Sequence, residues 1–127
     1  MRIDSENVRA YADTLVLQTA AGGVRLDYSA ASLATLEALV QGSEDRLRDP
    51  GAPGSELGLI VFYAGCYLGE TIVASGHGEW RFQEPWWESS VNSGTSRLNP
   101  FELVRNRIDE GSDSVSFARL LNAKPDR

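Results

Sequence analysis

The sequence predicts an α+β domain: helices packed around a central buried helix, with a small antiparallel three-stranded sheet. Three observations carry this expectation. Residues 56–75 are apolar nearly all round the helical wheel, which belongs to a helix inside a fold or a membrane. Residues 79–98 switch to short alternating runs broken by Pro85 and by "NSG", the pattern of strands and a hairpin turn. The segments before and after repeat apolar residues at helical spacing, so each has one face to lay against a central element.

In chain order, residues 4–20 read as an amphipathic helix with Val8, Tyr11, Ala12, Leu15 and Thr19 on one face. Asp4 or Ser5 can cap its start and Gly22-Gly23 ends it. "VRLDY" is a short extended link, and Ser29 caps a second helix bearing Leu33, Leu36, Val40 and Leu47. "RDPGAPGS" is a loop, the one composition break, and too short to mark a domain boundary. The third helix, Glu56 to Ser75, aligns Gly58, Gly65, Gly69 and Gly76 on a narrow stripe. Glycine costs about 1 kcal/mol against alanine inside a helix. Gly65 and Gly69 are therefore expected to let another backbone approach closely.

Three strands follow, in "EWRFQ", "WWESSV" and "TSRL". "NPFE" then opens a helix, with Asn99 as cap, Pro100 in the first turn and Glu102 able to reach back. Phe101, Val104 and Ile108 form its apolar stripe, and Gly111 closes it. A last short helix capped by Ser112 carries Val115, Phe117, Leu120 and Leu121, and residues 121–127 are a loose tail.

The 127 residues fit a single domain, long enough to bury about two thirds of the chain's surface without a staple. One cysteine forms no internal disulfide and favours a reducing compartment, the cytoplasm. The first residues show no secretory pattern, with charges continuing through Asp13. The net charge of -6 and scattered arginines argue against nucleic acid as a partner. A membrane span is disfavoured by Glu70, which would cost roughly 2.5–3.5 kcal/mol near a bilayer centre, and by the lack of flanking Lys or Arg.

The chemistry is sparse. Cys66 and His77, the only residues of their kinds, lie eleven positions apart along mostly helical chain. That is on the order of 16 Å at the helical rise, too far for a nucleophile and its base. With no second histidine and no C-x-x-C, no metal centre is expected. Asp109, Glu110 and Asp113 lack calcium-loop spacing, and no phosphate loop or nucleophile elbow is present. Neither a catalytic residue nor a cofactor is assigned.

Glu70 stands out, because on the wheel it lies with Leu59, Tyr63, Cys66 and Val73. A carboxylate there is paired, protonated or open to a pocket. Its candidate partners are Arg81, Arg105 and the hydroxyls of Tyr63 and Tyr67; the leading reading is a buried Glu–Arg pair, against a ligand-facing carboxylate or an exposed edge. Trp80, Trp86 and Trp87 cluster within eight positions. In a strand Trp86 and Trp87 point to opposite faces, so one of them is either exposed for binding or half-covered on the sheet.

The runs "LDYSAASL", "GCYLGE", "GEW", "NPFELVRNRI" and "DSVSF" resemble a bacterial family of small single-domain proteins of unknown function. Its pattern is an apolar helix ending in G-x-x-x-G-E, a G-x-W strand start and a later N-P-F helix. The positions that match are Gly65, Gly69, Glu70, Trp80, Asn99, Pro100 and Phe101, and the likeness extends from about Leu26 to Phe117. The resemblance implies the α+β fold and brings no activity. The expected function is a non-enzymatic protein-binding module, of immunity or regulatory type, using the Trp86 and Trp87 surface and nearby acids. The alternative is a small-molecule binder or enzyme with a pocket formed by Glu70, Tyr67, Trp80 and Arg81. The sequence does not fix the oligomeric state.

Overall fold

The structure, a computed structural model, describes residues 3–29, 31–42, 54–75, 78–93 and 96–110. Of the expected loop Arg48–Ser55, residues 48–53 lie outside them, as do Leu47, Gly76, His77, Gly94 and the helix from Ser112 with its tail, whereas Gly54 and Ser55 are already helical. Four helices and a three-stranded antiparallel sheet are described, an α+β arrangement. The helices are α1 (Val8–Ala21), α2 (Ser32–Gly42), α3 (Gly54–Ala74) and α4 (Pro100–Glu110). The strands are β1 (Glu79–Arg81), β2 (Ser90–Ser93) and β3 (Ser96–Leu98), in the order β1-β2-β3, with Trp80 opposite Val91 and Val91 opposite Leu98. Among the described residues no helix is long and apolar enough to cross a membrane.

Helix α1 starts later than the periodicity predicts because Asp4 and Asn7 build a turn in front of it. The Asp4 carboxylate accepts the amides of Glu6 and Asn7 at 2.9 and 3.0 Å, and the Asn7 side chain accepts the amide of Asp4 at 2.8 Å. The two side chains form a reciprocal capping box around Asp4, the expected cap, and the Val8 amide donates to the Asp4 carbonyl at 3.0 Å. At the other end, Gly23 takes φ 87° and Val24 donates to the Thr19 carbonyl at 2.9 Å, a left-handed closure that suits glycine. The Ser29 hydroxyl accepts the Ser32 amide at 3.2 Å, as a cap for α2. Asn99 does the same for α4, accepting the Glu102 amide at 3.0 Å while its amide nitrogen donates to the Trp87 carbonyl at 2.9 Å.

Helix α3 meets α1, α2, α4, β1 and β2. Phe62, Cys66, Tyr67, Leu68, Thr71 and Ile72 are buried, yet Leu59 is exposed and Tyr63, Glu70 and Val73 are half-buried, so burial is not uniform around it. Val8 and Ala12 of α1, Leu33, Leu36 and Val40 of α2, and Phe101, Val104 and Ile108 of α4 complete the core.

The glycine stripe corrects its expectation. A methyl group on Gly65 would overlap the Phe101 ring, and one on Gly69 would overlap the six-membered ring of Trp80. Aromatic rings, not another backbone, fill these notches. The energetics are favourable at Gly65: about 1 kcal/mol of helix propensity is lost, against ~2–3 kcal/mol for burying a phenylalanine side chain.

The second strand also differs. Trp86–Glu88 is one turn of 3-10 helix after Pro85, and β2 begins only at Ser90. Neighbouring side chains in such a turn diverge by about a third of a revolution, so the two tryptophans part for that reason and not by strand alternation. Finally, Arg107 sits on the apolar stripe of α4 and pairs with Glu37 of α2 at 3.0 Å, with side chains only 8% and 16% exposed. This is the buried ion pair that sequence reasoning sought at Glu70.

Candidate functional site

Two regions bring the candidate residues together. The first surrounds Glu70, near the end of α3 and 13% exposed. Its Oε2 accepts the indole N–H of Trp80 at 2.8 Å, which fixes β1 against the helix. Its Oε1 lies 3.9 Å from Nη1 of Arg9 on α1. The expected partners take no part: Arg105 pairs with Asp109 at 3.6 Å, Arg81 is exposed, and the Tyr67 hydroxyl is engaged elsewhere.

Arg9 extends the cluster. Its Nε is 3.2 Å from Asp13 Oδ1, one helical turn along α1, and its guanidinium lies 3.9 Å above the Tyr28 ring. The Tyr28 hydroxyl donates to the same Asp13 oxygen at 2.6 Å. Burial, then the bond to Asp13 and its charge, push this phenol's pKa above its ordinary value. Tyr28 holds φ 64°, the left-handed region that a bulky residue seldom takes. The conformation is held by what surrounds it. The ring stacks on Tyr67 at 4.7 Å, and the Tyr28 amide donates to the Tyr67 hydroxyl at 2.7 Å. Ser32 Oγ gives its proton to the Ser29 carbonyl at 2.6 Å, so Tyr67 is the donor in its 2.7 Å bond to Ser32. The buried tyrosine oxygen on α3 thereby serves the 24–31 link and α2 together.

These contacts make the Glu70 region a clasp between α1, α3, β1 and the link. The three segments of the G-x-x-x-G-E, G-x-W and N-P-F pattern also meet here: Gly69 and Glu70 receive Trp80, and Gly65 receives Phe101. Cys66 is buried one turn from Glu70; burial, and secondarily that carboxylate, push its thiol's pKa up, the reverse of what a nucleophile needs. Among the described residues, no group of three or more His, Cys, Asp or Glu side chains is placed to hold a metal ion.

The second region is the Trp86–Trp87 turn. Trp86 packs edge-on against Phe62 at 4.9 Å and Phe101 at 5.0 Å, anchoring the turn to α3 and α4. Trp87 meets Trp86 at 5.4 Å with ring planes at 84°, and it remains 53% exposed. Both indoles line a groove of about 680 Å³. Val61 and Phe101 add apolar wall, and Glu88, Asn99, Glu102, Arg105 and Asp109 supply polar edges. A smaller apolar groove of about 370 Å³ lies between α1, α2 and α3, bordered by Leu15, Leu39, Leu59 and Tyr63.

Of the six sequence-chosen residues, Glu70 and Trp80 touch, Tyr67 serves the link, Arg81 stands apart, and Trp86 and Trp87 share the groove. Sequence reasoning missed Arg9, Asp13, Tyr28 and Ser32. Only Arg9–Asp13 left a trace, as an i,i+4 pair of opposite charge. It also missed Glu88 and Glu102, whose place on the groove depends on the 3-10 turn facing α4.

Fold and geometry define an α+β domain with a tied polar clasp and a separate tryptophan groove. Comparison with protein-family models, curated proteins and solved structures finds no match to the chain.

Proposed function

We propose that the chain is a non-enzymatic protein-binding module, of immunity or regulatory type, that contacts its partner through the Trp86–Trp87 groove. The observation that carries this reading is Trp87, 53% exposed beside an aromatic-walled groove and anchored by Trp86 beneath it. An indole fixed in place and left open to water is the usual anchor of a binding hot spot. The commitment of the Glu70 carboxylate to Trp80 and Arg9 weighs against the alternative, a small-molecule or catalytic pocket at that residue. The single cysteine supports a cytoplasmic setting, and the charge of -6 supports a protein over a nucleic acid.

The test is a display selection of random peptides on the folded protein, with Trp87→Ala as the counter-target. Trp87 is exposed, so the variant keeps its fold. The expected result is a set of peptides that bind the parent protein and lose about 30-fold in affinity on Trp87→Ala, the size of a 2 kcal/mol hot spot. Selected peptides indifferent to Trp87, or no selected peptides, would refute the reading.

A further inference from the structure

The groove has a charge pattern as well as a shape. Among the described residues its edges carry three carboxylates, Glu88, Glu102 and Asp109, and one cation, Arg105. Arg105 is paired with Asp109 at 3.6 Å, so those two charges balance. Among the described residues Glu88 and Glu102 have no ion-pair partner, and both are exposed. On the same groove the two indoles stand nearly at right angles, 84° apart at 5.4 Å. An indole face carries negative quadrupolar potential and attracts a cation more strongly than any other aromatic face. A corner of two such rings with two unbalanced carboxylates on the same groove is complementary to a positive side chain, and an acidic segment would be repelled by it.

We infer that the groove takes a basic segment of another protein, in which an arginine or lysine sits against Trp87 and is balanced by Glu88 and Glu102. The inference rests on the groove being the binding surface, and it names the partner's chemistry. An apolar residue beside the cation meets the Val61 and Phe101 wall. The chain's net charge of -6 adds longer-range attraction for the same class of partner.

The peptides selected above supply the probes. The strongest Trp87-dependent peptide is resynthesised with each arginine changed to citrulline, or each lysine to norleucine, and its affinity is measured by calorimetry at low and high salt. One such change is expected to weaken binding about three- to tenfold, as an exposed cation–π contact plus screened carboxylates allow. The double variant Glu88→Gln/Glu102→Gln should also weaken the parent peptide, and should reduce the citrulline effect to its cation–π part, about two- to fivefold. High salt should weaken the parent peptide more than its citrulline form. Trp87-dependent peptides that are neutral or acidic, or unaffected by losing their cation, would overturn this inference and leave the groove reading standing. Absence of any Trp87-dependent peptide would overturn both.

Discussion

Gly69→Ala is the sharpest probe of how the fold is held. Alanine in a helix interior normally gains about 1 kcal/mol over glycine. Here the added methyl would lie within the Trp80 ring. The ring has little room to retreat, because its N–H is held by Glu70 at 2.8 Å and its face stacks on Phe82 at 5.2 Å. Moving it costs strain of about 1–3 kcal/mol and weakens a bond to a charged acceptor worth about 1.5–3 kcal/mol. The net expectation is a loss of about 1–3 kcal/mol, which moves a urea midpoint by roughly 1 M for a chain of this size. Gly58→Ala is the control: among the described residues nothing outside its own helix backbone lies within 4 Å of a new methyl there, so the change should stabilise by about 0.5–1 kcal/mol. In a Trp80→Leu background, Gly69→Ala should also become neutral or stabilising. Far-UV circular dichroism follows all five proteins without relying on tryptophan emission. A Gly69→Ala protein as stable as the parent, or one equally destabilised without the indole, would refute the notch.

Other expectations follow from the ion pair, the buried acids and the exposed indole. Glu37→Ala removes the Arg107 ion pair and should cost about 3 kcal/mol, the low end for a broken buried pair, whereas Glu37→Leu with Arg107→Met should return to within about 1.5 kcal/mol of the parent in thermal melts. Cys66 and Tyr28 both have pKa values raised on folding, so the unfolded chain loses these protons first. Their stabilising effect is complete below the unfolded values and is lost as pH rises past about 8.5 for the thiol and about 10 for the phenol. Stability should therefore fall from about pH 9 upward, and Cys66→Ala and Tyr28→Phe should each flatten part of that fall in pH-dependent urea titrations. Trp87→Ala should change stability by no more than about 0.5 kcal/mol, since its ring is mostly in water. A larger loss would mean the ring is structural.

What was legible in the sequence was local. Asn99 before Pro100 and Phe101 specifies a helix start within four residues, and the structure has that cap. Gly22-Gly23 and Ser29 act through neighbours a turn away, and they too read correctly. The partners of Glu70 come from positions 9 and 80, and no pattern along the chain joins those to 70. The glycine stripe showed that something approaches α3 closely, without showing that it was two rings. Arg107 was visible as a charge between Val104 and Ile108, one step off the residues that drew attention. Trp86 and Trp87 were read by strand alternation, but Pro85 begins a tighter turn, and the groove exists because that turn lies against α4.

The two notches on α3 set an order of events during synthesis. The helix ends at residue 74, but the rings that fill Gly69 and Gly65 arrive from positions 80 and 101. A growing chain that has released α3 carries two uncovered hollows on that helix. The first closes when β1 emerges, and the second only once the start of α4 has cleared the ribosome. Arrested chains that still hold Phe101 inside the exit tunnel should therefore expose the Gly65 side of α3 to chaperones, and chains from which α4 has emerged should not.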